Sequence, residues 1–267
     1  MILIAAAVAL LIIYWIYSRV TAPEAITDAI KSGKVDAKVL AKGNTGRSAV
    51  ITLSRPKGVS GTSTILIPSG TILYGTDSNT QRLFVATPVQ IVLSDVTPAI
   101  TLQVKTFCFD EFAAIPLQNT AYSFFAPGGT VTTTEETEPL HKLANCLASA
   151  SQSDADKQLA VWAVSSDWLH KTRDEAVQFV ANGLADQMAK ERRNQLERKK
   201  AHIARKAPHL SSADIDELIE KEYQESMVEA GRIAAAKAQE QITGFIAHDK
   251  DMLKSCGYPT DDMPIFR

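Results

Sequence analysis

The chain has 267 residues, of which 45% are hydrophobic and 22% charged, and its formal net charge is -2. That length supports real hydrophobic cores, in one large or two modest domains. The near-neutral balance supplies no global attraction to nucleic acid or to an anionic membrane.

The first 17 residues, MILIAAAVALLIIYWIY, carry no charge. A spanning helix needs about 17–25 such residues, so this one is at the short end. Tyr14, Trp15 and Tyr17 cluster where amphipathic rings favour the headgroup zone. No Lys or Arg precedes the stretch and no small-x-small site follows it, which argues against a cleaved signal peptide. Residues 1–20 are therefore expected to be a single-pass transmembrane anchor. Arg19, Lys31, Lys34, Lys38, Lys42 and Arg47 follow it, and positive residues resist translocation. The expected location is the inner (plasma) membrane, with the bulk of the chain cytoplasmic. Residues 21–44, broken at Gly33, read as a short juxtamembrane helix and a linker.

From residue 45 to 127 the texture is β. The runs SAVITLSRP, STILIPSGTILYG, RLFVATPVQIVLSD and AITLQVKTFCF are β-branched and apolar, with turn residues every 8 to 14 positions. This spacing predicts a small antiparallel β-sandwich of six or seven strands. Ser69-Gly70 is expected to turn a tight hairpin. Residues 128–138, rich in Thr, Gly and Pro, read as a linker.

Residues 139–267 are helical in period. One helix is expected in LHKLANCLASA and another in DADKQLAVWAVSSDWL. A long pattern then breaks at APHLSS, and Ser211 or Ser212 is a natural N-cap for the next helix. The apolar stripe Ile215, Leu218, Ile219, Tyr223, Met227, Ala230, Ile233, Ala234, Ile242 and Phe245 gives that helix one buried face. Two long helices joined by a short break predict an antiparallel hairpin over 170–253, each arm roughly 55 Å long. Residues 190–206 carry eight Lys/Arg, and residues 214–229 carry seven Asp/Glu. Antiparallel pairing sets these runs side by side, so the basic run is expected to be spent within the hairpin. No aromatic side chain interleaves it, which argues further against nucleic acid.

The chain has no CxxC pair, no HExxH, no Walker-type loop and no G-x-S-x-G elbow. No metal ligand, cofactor or catalytic residue is assigned, and no enzymatic activity is expected. The cysteines, Cys108, Cys146 and Cys256, are odd in number and widely spaced, which fits a reducing compartment. If ITLQVKTFCF is one regular strand, Ile100, Leu102, Val104, Thr106 and Cys108 share a buried face. Cys108 is then a small core residue. Phe107 and Phe109 lie on the other face and need cover from the helical region.

Two short blocks carry a second reading. Phe107-Cys108-Phe109-Asp110 and Gln158-Leu159-Ala160-Val161-Trp162 resemble blocks of bacterial surface thioester domains, and the β-then-α order is similar. The resemblance implies a bond between the Cys108 thiol and the Gln158 carboxamide, able to capture an amine on a target. It covers about nine residues.

Taken together, the expected fold is α+β: an N-terminal transmembrane helix, a small antiparallel β-sandwich and a C-terminal helical region with a long hairpin. The expected function is a membrane-tethered, non-catalytic interaction or scaffold protein, docking through the sandwich and the hairpin. Its protein partners are not named by the sequence, and oligomerisation is left open. The alternative is a covalent, thioester-type surface-binding protein.

Overall fold

The computed structural model describes residues 22–42, 49–77, 80–113, 116–127, 134–207 and 209–267. They form two compact units. One takes in the described residues between 22 and 108 and between 116 and 149, the other those between 109 and 113 and between 150 and 267.

The first unit is β-rich. It begins with β1 (Glu24–Ala25), α1 (Ile26–Lys31) and β2 (Asp36–Ala41), continues through β3 (Ala49–Ser54), β4 (Ser63–Ile67), β5 (Ile72–Gly75) and β6 (Leu83–Val85), and then β7 (Val89–Leu93), β8 (Ala99–Val104), β9 (Thr106–Cys108) and β10 (Ala121–Ser123). It closes with α2 (Thr134–Ser149). The strands make a three-stranded sheet, β1-β4-β7, and a seven-stranded sheet, β8-β3-β2-β10-β5-β6-β9. Strand β3 shows the reason for its form in its alternation: Ala49, Ile51 and Leu53 are buried and their neighbours are not. Strands β5, β6 and β9 are buried at every residue, so both of their faces are covered.

The seven-stranded sheet curls on itself. Strands β8 and β9 stand at opposite ends of its order, yet only Lys105 separates them in sequence. Consecutive Cα atoms are about 3.8 Å apart, so one intervening residue spans less than about 8 Å. The two edges must therefore meet at Lys105, and the curl limits the open edge that an unpaired sheet would expose.

Several expectations are corrected here. The three-stranded sheet is mixed, since β1 pairs β4 in parallel, with Glu24 opposite Ile65, whereas the seven-stranded sheet is antiparallel throughout. Among the described residues the arrangement is ten strands with a half-barrel sheet, and it replaces the small antiparallel sandwich. The supposed linker after Gly33 contains β2, which pairs with β3 over six residues and buries Val39 and Ala41. Its alternation is short and its first three residues, Asp36, Ala37 and Lys38, are exposed, which masked a central strand. Ser69-Gly70 does turn, with Thr71 N donating to Pro68 O at 3.3 Å. The strands beside it enter different sheets, so it is a corner and not a hairpin.

The membrane anchor is corrected as well. Among the described residues no helix is long and apolar enough to cross a membrane. The expected anchor, residues 1–20, itself lies outside the described residues. The single-pass, inner-membrane placement is withdrawn with it. The long helices fail as spans for a simple reason: charged residues recur throughout both of them.

The second unit is helical: α3 (Asp154–Ser165), a 3-10 turn at Trp168–His170, α4 (Arg173–Lys206), α5 (Ser212–Ser255) and a final 3-10 turn at Pro264–Phe266. All three α-helices start at a capping box, at Ser153 with Asp156, Thr172 with Glu175 and Ser211 with Asp214. Helices α4 and α5 run antiparallel: Arg173 meets Thr243 near the base, and Lys200 pairs with Asp216 near the tip. Glu222 receives Arg192 at 2.9 Å and Lys199 at 2.5 Å. Leu196, Ile215 and Ile219 form a small core beneath these pairs.

Candidate functional site

Cys108 ends β9 and pairs in register with Leu83 of β6. It is 4% exposed and carries no disulfide. The strand around it is not one regular run, because it breaks at Lys105. Val104 is buried while Ile100 and Leu102 are half-exposed, and Thr106, Phe107 and Cys108 are all buried. Phe107 is therefore covered on its own face, at 1% exposure, with the Lys105 ammonium 5.6 Å from its ring centroid.

The other two cysteines correct the redox expectation. Cys146, on α2, and Cys256, just after α5, are each disulfide-bonded. Wide spacing in sequence says nothing against such bonds, since folding and not spacing brings cysteines within bonding distance. In denaturant without reductant, one thiol per chain should react with an alkylating reagent, and three after reduction. In the native protein Cys108 should react slowly, because burial blocks access and disfavours the thiolate. Fast native labelling of Cys108 would contradict its burial.

The chain enters the helical unit directly after Cys108. Ser165 Oγ donates to the Phe109 carbonyl at 2.8 Å. Trp168 Nε1 donates to Glu111 Oε2 at 3.0 Å. Phe112 meets Phe179 edge-on, with centroids 5.6 Å apart. Gly183 lets that ring approach α4: a Cβ there would lie 2.5 Å from it. Trp168 is fully buried and packs edge-on against Phe245, which stacks on Phe266.

Glu111 is 7% exposed, and its Oε1 has no hydrogen-bond partner. Loss of water raises its pKa from 4.5 to about 7, against the hydrogen bonds from Trp168 and Ser166 that favour the ionised form. Sign matters for stability. The folded state holds this proton more tightly than the unfolded chain does, so the contribution is full below pH 4.5 and falls as pH rises toward 7. The loss is about 3.5 kcal/mol over that window, at about 1.4 kcal/mol per unit. Glu111→Gln should remove this share of the pH dependence in urea unfolding curves followed between pH 4.5 and 7. An unchanged slope would show that Glu111 is solvated.

Gln158 is half-buried on α3, between Lys157, which donates to Ala150 O at 2.5 Å, and the buried Ala160 and Val161. Cys108 thus belongs to the β-rich unit and Gln158 to the helical one. Asp249 of α5 is fully buried. Neither Glu111 nor Asp249 stood out as a site in the sequence. The available signals were the acids directly after Cys108 and an Asp four residues beyond Phe245 in an apolar stripe. Among the described residues, no group of three or more His, Cys, Asp or Glu could hold a metal ion. Comparison of the chain with protein-family models, with curated proteins and with solved structures finds no match.

Proposed function

We propose that the protein is a non-catalytic protein-binding module whose α4–α5 hairpin is the docking arm. The carrying observation is how the hairpin uses its charge. Arg192, Lys199 and Lys200 are engaged by Glu222 and Asp216, while Leu218 and Val228 stand 50% and 79% exposed on α5. Between the arms an open cleft of about 230 Å³ has Met188, Ala230 and Ile233 in its lining, with Glu191, Arg192 and Glu229 among its polar residues. Pairing of Arg192, Lys199 and Lys200 within the hairpin, with Arg193 over the Tyr223 ring, lowers the charge offered to an acidic polymer and favours a protein partner, and an apolar-floored cleft suits an inserted side chain. Leu218→Asp with Val228→Asp leaves the buried face intact. Proteins captured by the full chain should be lost with this double variant and kept with a Leu117→Asp control, since Leu117 is exposed on the β-rich unit. An identical captured set for both variants overturns the docking arm.

A second reading has its own support. Two cysteines are disulfide-bonded, which favours an oxidising compartment, the setting of a surface thioester protein. Cys108 alone stays out of disulfides, and Ser165, on the helix that carries Gln158, holds the carbonyl of the next residue. In this reading the Cys108 sulfur attacks the Gln158 carboxamide carbon, the C–N bond breaks and ammonia leaves. A target amine then attacks the same carbon and releases the thiol. The intact chain should weigh one ammonia less than its sequence mass with the disulfide counted, and methylamine should abolish the deficit. Cys108→Ala should show no deficit. A full mass in the untreated protein removes this reading.

A further inference from the structure

Helix α5 buries Ala234, Ala238, Ile242, Phe245, Asp249, Met252 and Leu253 along one stripe. Six of these are apolar. The seventh, Asp249, is 0% exposed, and neither of its carboxylate oxygens has a hydrogen-bond partner. An ionised carboxylate in such a place is far costlier than a neutral acid, because the charge loses its water and gains nothing in return.

The surrounding charges do not relieve it. From α3 the group acting on Asp249 is Asp156, of like sign. Asp156 accepts from the Ser153 backbone and hydroxyl at the helix cap, so it cannot swing away without losing that cap. Lys157, its neighbour, is committed to Ala150 O. From α4, Arg173 donates to Thr243, six residues short of Asp249 along the helix. On α5 itself, His248 and Asp251 are exposed, and Lys250 and Lys254 pair with Asp261 of the tail. The tail's Asp262 pairs with Arg267, and burial holds the Tyr258 phenol protonated up to about 12. The one charge that acts on Asp249 thus has its own sign, and neither carboxylate oxygen accepts a hydrogen bond.

We propose that Asp249 is a proton-operated latch between α3 and α5. Neutral, it lets the C-terminal half of α5 pack against α3. Ionised, it drives that contact open. Desolvation, aided by Asp156, raises its pKa from 3.8 to about 8. Between these two values the closed state keeps a proton that the open state releases. Protection therefore falls as pH rises through the window and levels off above about pH 8.

The test is hydrogen exchange of residues 154–165 and 238–255 in the full chain from pH 5 to pH 8.5, corrected for intrinsic exchange. Opening should rise roughly tenfold per pH unit, the slope of one released proton. Asp249→Asn is nearly isosteric and should abolish that slope, keeping at pH 8 the protection that the wild type shows near pH 5. Asp156→Asn removes the like charge, so it should lower the pH at which the loss levels off and raise protection at pH 8. A slope unchanged in Asp249→Asn, or no slope in the wild type, overturns the latch. Restored protection at pH 8.5 on adding calcium or magnesium would overturn it too, by showing a cation site in place of a proton switch.

Discussion

Replacing Gly70 by alanine should destabilise the β-rich unit by about 2–5 kcal/mol. Two terms add. Gly70 holds φ at +82°, a left-handed conformation that costs an L-residue about 1–2 kcal/mol. A Cβ there would also lie 2.6 Å from His141 Nδ1 and 3.0 Å from the His141 Cα. The backbone atom cannot rotate away, and overpacking of this kind costs about 1–3 kcal/mol. His141 is itself held, since its Nδ1–H donates to the Ser69 carbonyl at 2.5 Å. Ser69 Oγ in turn donates to Asn145 Oδ1 of the same helix, α2. The corner between β4 and β5 is thus locked onto α2 through both polar groups of Ser69, directly before Gly70. Thermal unfolding of the unit should shift down by roughly 10 °C. Gly58→Ala is the control: its φ is +88°, but a Cβ there would meet nothing within 4 Å. That variant should incur only the conformational term. Equal losses in the two variants would show that α2 does not press on the corner.

Trp168→Ala should have the larger effect on the helical unit. Trp168 is fully buried beneath Phe245, and deleting a buried Trp costs about 3–5 kcal/mol. The same change removes the donor to Glu111 and leaves a buried carboxyl with less support, a further cost of about 1–3 kcal/mol. Trp168→Phe separates these parts. It keeps most of the packing and loses the N–H, so its cost should be near the second figure alone. It should also push the Glu111 pKa higher, because a hydrogen bond that favours the charged form is gone. Urea unfolding at pH 5 and at pH 7.5 distinguishes the terms. The packing loss is the same at both, whereas the hydrogen-bond loss grows where Glu111 is ionised. A Trp168→Phe variant with the same deficit at both pH values would show that the bond to Glu111 carries no charge assistance.

The order of a β-rich region followed by helices was legible because it rests on local periodicity. Alternation in Ala49–Ser54 and the stripe from Ile215 to Phe245 are properties of short windows. The start of α5 was legible for the same reason: Ser211 caps it through its own hydroxyl, three residues from Asp214. The pairing of the basic and acidic runs followed from chain reversal and from like charge gathered in blocks, and Glu222 with Arg192 and Lys199 realises it. Tertiary structure decided what depends on distant partners. Strands β8 and β9 read as one run, yet pair with β3 and β6 at opposite ends of the curled sheet. Phe109–Ala114, adjoining the strand of Cys108, is held by Ser165 and Trp168 of the helical unit. Cys146 and Cys256 entered disulfides despite their separation in sequence. Asp249 follows Phe245 by four residues in sequence, but only packing removed its water. Local sequence sets the conformation a segment favours by itself. Burial, long-range pairing and the protonation of a buried acid depend on the whole set of surrounding atoms, which only the folded chain assembles.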